Sequence, residues 1–318
     1  MKNIMYIFCF VVFTSNVSCS QTVNDTSYTE TDITLTTKTG QIFGTLCLPN
    51  HFTKGPVALI IAGSGPTDRN CNSMYTKTDA YKLLAHKLST YNIATVRYDK
   101  RGIATSKDAG KSEADLRFDD YVNDASEWVR LLKSDPLFSK VIIIGHSEGS
   151  LIGMIAAQKN TDSYISIAGA GQSADKIITE QLKSQPQETQ DSAAIIIDSL
   201  THGKTKVRVP MALLALFRPS VQPYIISWFK YDPQTEIKKL TILTLIVQGT
   251  DDLQIGVDDA KQLSAAAPNA KLVFIKGMNH VFRKVGNDKT ANKASYNNPS
   301  LPIDDELVAT IQSFINAK

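Results

Sequence analysis

The pentapeptide Gly-His-Ser-Glu-Gly at residues 145–149 constrains the fold of this 318-residue chain more than any other feature. It follows the apolar run Lys140–Ile144 and precedes a stretch rich in small residues, as a tight turn from a buried strand into a helix requires. Both glycines are needed because a Cβ there would clash with the neighbouring strand or helix. Ser147 then stands above the sheet at a helix N-terminus, where the dipole favours developing negative charge. The pattern predicts a nucleophilic serine, since the alternative, a phosphate-binding turn, lacks the G-x-G-x-x-G spacing and a following lysine.

A serine hydroxyl is a poor nucleophile until a base removes its proton, and the chain offers five histidines. Only His280 follows a late predicted strand and comes after the nucleophile in the chain. The others lie beside the nucleophile, in a polar loop, in a predicted surface helix or in a helical insertion: His146, His51, His86 and His202. His280 is therefore the predicted base.

The carboxylate that orients this histidine should follow the predicted strand Ile242–Val247. Asp251 and Asp252 both qualify by position.

An oxyanion hole needs two backbone N–H groups aimed at the developing charge. One is expected from Glu148, directly after the nucleophile. The other is expected from the small residues after the apolar run Val57–Ala62, where Ser64 is preferred and Gly65 is close behind. Pro66 has no N–H to donate.

Apolar strand-like runs alternate with longer amphipathic stretches along most of the chain, which is typical of an α/β fold. The pattern predicts a mostly parallel sheet with helices on both faces. An alternating pair of strands around residues 38–40 predicts a hairpin at its start. The last strand and helix are expected at Lys271–Ile275 and Asp304–Ile315.

This alternation stops between residues 172 and 237, a stretch with five prolines. We expect a helical cap here, inserted into a core formed by residues 21–171 and 238–318. Its apolar side chains should line an acyl pocket or, alternatively, pack among themselves or form a homodimer contact. The candidate pocket residues are Leu213, Leu214, Phe217 and Trp228.

The first 20 residues resemble a secretory signal peptide, with Lys2 before an apolar run of about ten residues. We expect an exported, periplasmic or secreted protein, cleaved after Ser20 or lipidated at Cys19. Residues 21–30 are polar and are expected to form a flexible leader.

The net charge and the number of cysteines indicate which partners and which metal sites the chain is not expected to have. The net charge of +3 is spread along the chain and indicates neither nucleic acid nor an anionic membrane surface as a partner. Outside the export signal only Cys47 and Cys71 remain, too few for a zinc site and expected to be free thiols.

Several motifs together resemble the serine aminopeptidase-like and acyl-esterase branch of the α/β-hydrolases. They span residues 32–317 and comprise GSGPTDR at 63–69, YDKRG at 98–102, GHSEG at 145–149, YDP at 231–233, GTDDL at 249–253 and NH at 279–280. The family's Gly-x-x-Asp spacing favours Asp252 over Asp251 as the acid. The resemblance also implies an ion pair between Asp99 and Arg101 beneath the site, with solvated loop charges as the alternative. Ala104 replaces a usual glycine, so that turn should be reshaped, whereas Ser150 in place of another glycine should be harmless.

The resemblance implies carboxylesterase activity on small acyl esters, without a cofactor. Two other functions stay open. The same triad would serve an exopeptidase or amidase for short peptides, with Glu148 or Glu180 anchoring the substrate α-amine. A catalytically silent ligand-binding scaffold is the third, although it would have no reason to hold all three triad residues in order.

Overall fold

The computed structural model describes residues 27–110, 112–286 and 288–317. The predicted signal peptide and Cys19 lie outside these ranges. Within them, no helix has both the length and the apolar character needed to cross a membrane.

A single eight-stranded sheet forms the centre of the described chain, in the order β1-β2-β4-β3-β5-β6-β7-β8. β1 and β2 form an antiparallel hairpin, β2 pairs antiparallel with β4, and all further pairs are parallel. The strands are β1 (Tyr28–Thr37), β2 (Gly40–Pro49), β3 (Gly55–Ile61), β4 (Ala94–Tyr98), β5 (Phe138–His146), β6 (Ser163–Ile167), β7 (Leu243–Gly249) and β8 (Lys271–Ile275). The predicted mostly parallel sheet is confirmed.

The central strands are apolar throughout because helices cover both faces of the sheet. In β3, Val57, Leu59 and Ile61 belong to one core cluster, whereas Ala58 and Ile60 belong to the cluster on the opposite face. The helices outside residues 172–237 are α1 (Ala80–Ser89), α2 (Phe118–Ser134), α3 (Glu148–Asn160), α9 (Val257–Ala266), α10 (Lys289–Ser295) and α11 (Asp305–Ile315). Helices α2, α3 and α9 contribute to the first cluster, and α1 and α11 contribute to the second.

Residues 172–237, here called the insertion, contain helices and no strand in this described part of the chain. They connect β6 to β7, and their buried side chains join the core cluster that also holds α2 and α3. The helices are α4 (Ala174–Leu182), α5 (Gln187–Thr201), α6 (Leu214–Phe217), α7 (Gln222–Trp228) and α8 (Pro233–Ile237), with a 3₁₀ turn at Met211–Leu213. Prolines stand at the first or second position of α7 and α8, where a missing N–H costs least.

The flexible leader predicted for residues 21–30 is wrong for its last three residues. Tyr28 opens β1 and pairs with Pro49 of β2. Glu30 forms an ion pair of 2.7 Å with Arg97, so the edge strand is fixed by a side chain as well as by its backbone. Residues 21–26 lie outside the described ranges.

Candidate active site

Ser147 lies between β5 and α3 in a strained backbone conformation, with φ 55° and ψ −123°. The glycines around it are required sterically. A Cβ on Gly145 would lie 2.3 Å from the carbonyl oxygen of Gly149, and one on Gly149 would lie 2.3 Å from the carbonyl oxygen of Ile61. The backbone N–H of Ser147 is held by the carbonyl of Ile167, at 3.0 Å. Such strain persists only where the surrounding structure enforces it. Here it directs the Ser147 side chain into a cavity.

The side chains of His280 and Asp252 are buried and in direct contact. The distance from His280 Nδ1 to Asp252 Oδ2 is 2.8 Å. The other Asp252 oxygen accepts hydrogen bonds from the backbone N–H groups of Gln254 and Ile255, at 2.8 and 3.0 Å. Burial by itself would raise the pKa of Asp252, but His280 and these two donors lower it below its ordinary value. The carboxylate is therefore ionised at neutral pH.

Asp251 faces another direction. Its Oδ1 accepts a hydrogen bond from the hydroxyl of Thr250 at 3.1 Å, and its carbonyl accepts one from the Asn292 side chain at 2.7 Å. The structure thus brings Asp252, and not its neighbour, to the imidazole of His280.

His280 lies beside His146, the residue that directly precedes Ser147. The imidazoles of His146 and His280 lie 4.5 Å apart, centroid to centroid. The Ser147 hydroxyl itself makes no hydrogen bond to another described residue. Catalytic hydrogen bonds are often long in a free enzyme and tighten when substrate binds.

His146 joins the backbone of His280 to the loop after β3. Its Nε2–H donates to the carbonyl of His280 at 2.9 Å, which leaves Nδ1 as the acceptor for the hydroxyl of Tyr81, at 2.7 Å. That hydroxyl in turn accepts the N–H of Gly63 at 3.1 Å. Burial, and then the neighbouring His280, lower the pKa of His146 well below its usual range. His146 is therefore neutral, with its proton on Nε2, and it links the backbone of His280 to Tyr81. The sequence analysis did not assign this role to it.

The two predicted oxyanion donors lie on the wall of the cavity that Ser147 faces. The N–H of Ser64 has no acceptor among the described residues. Glu148 is the first residue of α3, so its N–H is one of the four that a helix leaves without an internal acceptor. Gly63 allows the loop to approach closely, because a Cβ there would lie 3.1 Å from the Cβ of Ser147.

A buried charged cluster behind this wall was not predicted. Lys100 Nζ lies 3.0 Å from Glu148 Oε2 and 2.6 Å from the carbonyl oxygen of Gly63. Glu148 Oε1 accepts the hydroxyl of Tyr224 at 2.7 Å. The partners are separated by 48 and 76 residues, so no local spacing could reveal them.

The predicted ion pair between Asp99 and Arg101 is wrong. Asp99 instead pairs with Arg69 at 2.8 Å, and Arg101 pairs with Asp124 at 2.6 Å. Ala104 has a left-handed backbone conformation, with φ 44°, which strains a residue that carries a Cβ. Ser150 is accommodated by hydrogen bonds of its hydroxyl to two neighbouring side chains.

The cavity beside Ser147 has a volume of about 270 Å³ and is lined by core loops and by the insertion. Of the four predicted pocket residues, Trp228 lines it. Leu213, Leu214 and Phe217 do not, and Phe217 is fully buried in the core instead. The apolar side chains that the insertion supplies are Ala174, Ile177, Ile178, Ala215, Leu216, Val221, Tyr224, Ile225, Trp228 and Pro233.

Solved structures with the same architecture cover nearly the whole chain. Est1E from Butyrivibrio proteoclasticus, with ferulic acid bound, matches with a TM-score of 0.59 and 18% identity, over 87% of this chain and 96% of that one. The alpha/beta hydrolase GrgF from Penicillium sp. sh18 matches with a TM-score of 0.59 and 16% identity, over 90% and 98%. The chain has the α/β-hydrolase fold.

Sequence comparison adds one family model and one esterase to which the chain is similar. The family described as Serine aminopeptidase, S33 matches residues 71–187. Esterase EstD from Thermotoga maritima is 27% identical over 265 residues, which is 81% of this chain and 61% of the length of that esterase. The resemblance to the esterase branch inferred from the motifs is confirmed.

Proposed function

We propose that this α/β-hydrolase is a serine esterase that cleaves carboxylic esters of small acyl groups through an acyl-enzyme on Ser147. The observation that carries the proposal is the 2.8 Å contact of His280 with Asp252. The imidazole of His280 lies 4.5 Å from that of His146, the residue before a strained serine that faces a cavity. The name of Esterase EstD supports an ester over other substrates.

The reaction follows from the positions of these groups. Asp252 holds the Nδ1–H of His280, which leaves Nε2 to take the proton from Ser147 Oγ as this oxygen bonds to the ester carbonyl carbon. The N–H groups of Ser64 and Glu148 bind the oxyanion. When the carbon–oxygen bond of the ester breaks, the leaving alcohol receives the proton from Nε2. Water then attacks the acyl-enzyme with the same imidazole as base, which releases the acid and restores the serine.

The alternative of an exopeptidase needs a free carboxylate to anchor the substrate α-amine. Glu148 is buried and already holds Lys100 and Tyr224. Glu180 is exposed, pairs with Lys183 and does not line the cavity that Ser147 faces. Neither side chain is available as the anchor, so the contacts favour the esterase, although the serine aminopeptidase family match keeps the peptidase as the second candidate.

The decisive experiment is Ser147→Ala with p-nitrophenyl acetate as substrate. Removal of a triad nucleophile costs about 10⁴-fold or more in kcat, so turnover should fall to near background. A fluorophosphonate probe should label the wild type and fail to label the variant. Turnover within tenfold of wild type, with an unchanged circular dichroism spectrum, would contradict the assignment. An unlabelled and inactive wild type would favour a silent scaffold, and preferential cleavage of peptides in a substrate panel would favour the peptidase.

We also propose that the insertion is a cap that sets the length of the acyl group. Ile177 and Trp228 lie on the cavity wall, so Ile177→Ala and Trp228→Ala should shift the preferred p-nitrophenyl ester toward longer chains while acetate hydrolysis changes little. Leu214→Ala is the matched control, since Leu214 belongs to the insertion but not to the wall. A chain-length profile unchanged in both wall variants, or changed equally in the control, would refute this role.

We also propose that the protein is exported. The charged and apolar pattern of residues 1–20 supports a cleaved signal peptide. The mass of the protein recovered from the cell envelope or medium distinguishes cleavage after Ser20 from lipidation at Cys19. An uncleaved chain found in the cytoplasm would overturn export altogether.

A further inference from the structure

Lys100 is an ammonium with almost no exposure to solvent. It donates to the Gly63 carbonyl at 2.6 Å and to Glu148 at 3.0 Å, and it lies 4.9 Å from the centre of the Tyr121 ring. The Lys100 residue is 1% exposed and Glu148 6% exposed. Taking two charges out of water is costly, and a hydrophobic pair of the same volume is often no less stable. Stability alone therefore does not explain why this ion pair is buried here.

The contact with Gly63 fixes the direction of an amide one residue away. The carbonyl of Gly63 and the N–H of Ser64 belong to the same planar peptide unit, and no described peptide bond is cis. In a trans peptide unit these two bonds point in opposite directions. By holding the carbonyl, Lys100 turns the Ser64 N–H away from itself and prevents the glycine-containing loop from rotating.

The second contact reaches the other oxyanion donor. The backbone N–H of Glu148 lies at the start of α3, and each oxygen of its carboxylate accepts a hydrogen bond. Lys100 binds one carboxylate oxygen, and Tyr224 of α7 binds the other. One ammonium thus contacts both segments that supply the oxyanion amides, and the insertion contacts one of them.

We propose that Lys100 is a positioning residue that aligns the amides of Ser64 and Glu148 toward the oxyanion, and that Tyr224 makes this alignment depend on the insertion. The inference rests on the proposed esterase function. It names no new catalytic group, because Lys100 is separated from the reacting atoms by the peptide units it holds.

Two variants separate the contact with Gly63 from the ion pair. Glu148→Gln removes the negative charge but leaves Lys100 beside the Gly63 carbonyl. Lys100→Met combined with Glu148→Gln removes both charges with little change in volume and also removes the contact with Gly63. The double variant, unlike the single Lys100 variant, leaves no buried carboxylate without its partner.

We expect the double variant to lose about 30- to 100-fold in kcat for p-nitrophenyl acetate relative to Glu148→Gln, because loss of one oxyanion donor costs about 10²–10³ in comparable sites. The KM should change less than threefold. The inhibition constant of a trifluoromethyl ketone, whose serine adduct carries the same oxyanion, should rise by the same factor as kcat falls. A purely structural role would lower the melting temperature without producing this match.

The link to the insertion is tested with two hydroxyl deletions. Tyr224→Phe should lower kcat by about five- to tenfold, because it removes one hydrogen bond to the Glu148 carboxylate while the contact with Lys100 remains. Tyr231→Phe is the control, because Tyr231 also joins the insertion to a carboxylate outside it, that of Asp119 in α2 at 2.5 Å, but has no hydrogen bond to either oxyanion segment. The control should keep wild-type kcat.

The outcomes separate this inference from the function on which it rests. If the wild type neither hydrolyses the ester nor reacts with a fluorophosphonate, the proposed function fails. If the wild type is active and the double variant equals Glu148→Gln in kcat and in inhibition constant, the role of Lys100 is overturned. Equal activities of the Tyr224 and Tyr231 variants would overturn the coupling to the insertion.

Discussion

Asp252→Asn tests the orientation of the catalytic imidazole with a change of one atom. In the native site Asp252 Oδ1 accepts two backbone N–H groups, and Oδ2 accepts His280 Nδ1 at 2.8 Å. Asparagine has only one acceptor oxygen. Its carbonyl will face the backbone donors of Gln254 and Ile255, because the reverse orientation would set its NH₂ group against both of them.

The amide NH₂ then occupies the position of Oδ2. It donates to Nδ1 of His280, so the imidazole carries its proton on Nε2, the nitrogen that should accept the proton of Ser147. The same NH₂ also meets the side-chain NH₂ of Gln248, which donates to Oδ2 at 3.3 Å in the native protein. The variant therefore holds the histidine in place but in the wrong tautomer.

The corresponding change in a triad costs about 10⁴ in kcat, or about 5.4 kcal/mol at 1.36 kcal/mol for each factor of ten. We expect a loss of this order for Asp252→Asn in hydrolysis of p-nitrophenyl acetate at pH 8, with KM nearly unchanged. Asp251→Asn is the matched control and should stay within about threefold of wild type, since Asp251 does not contact the imidazole.

Stopped-flow measurement of the acylation burst gives the chemical step directly, and circular dichroism checks the fold. Retention of more than a tenth of the wild-type rate by Asp252→Asn would refute the tautomer argument. A crippled Asp251→Asn beside a nearly normal Asp252→Asn would show that the wrong carboxylate has been assigned.

Two further predictions concern packing and thiol chemistry. Gly149→Ala places a Cβ 2.3 Å from the backbone oxygen of Ile61, so the free energy of unfolding in urea should fall by at least about 2 kcal/mol. The nearest atoms to a Cβ in Gly153→Ala belong to side chains, the closest being a methyl group of Ile143 at 2.7 Å, so this variant should lose less than half as much; equal losses would contradict the steric argument. Burial raises the pKa of Cys47 to about 12 and that of Cys71 to about 11. Neither thiol should react with iodoacetamide at pH 8 in the folded chain starting at Gln21, and both should react in urea; rapid alkylation of the native protein would contradict this.

Strongly patterned elements were predictable to within one residue. The strand Lys271–Ile275 was expected with these bounds and is found with them, and the helix expected at Asp304–Ile315 is found as α11, Asp305–Ile315. In both elements apolar residues recur at a regular spacing, and turn residues stand at the ends. Elements without such a period were missed. The helix α10 has a polar sequence, KTANKAS, and is held instead by hydrogen bonds between Asn279 and the side chains of Asn292 and Ser295.

Contacts between distant segments set the limit of prediction at the site. The strand–turn–helix context located Ser147, and position after a late strand located His280. Arg101, by contrast, was paired with a neighbour two residues away, whereas its partner Asp124 comes 23 residues later, on another element. Phe217 was expected in the pocket because it is apolar, but apolarity cannot distinguish a cavity wall from the core.

The two polar networks around the nucleophile meet at Gly63, and this explains why a buried lysine and a buried histidine are both present. A glycine is required there because a Cβ would crowd Ser147, at 3.1 Å. Glycine, however, leaves the backbone free to rotate, which a preorganised oxyanion site cannot tolerate. Its N–H is held by Tyr81, which His146 binds in turn, and its carbonyl is held by Lys100. The hydrogen bonds on either side of this residue restrict the freedom that the missing side chain leaves, and they do so without occupying the space in front of the serine.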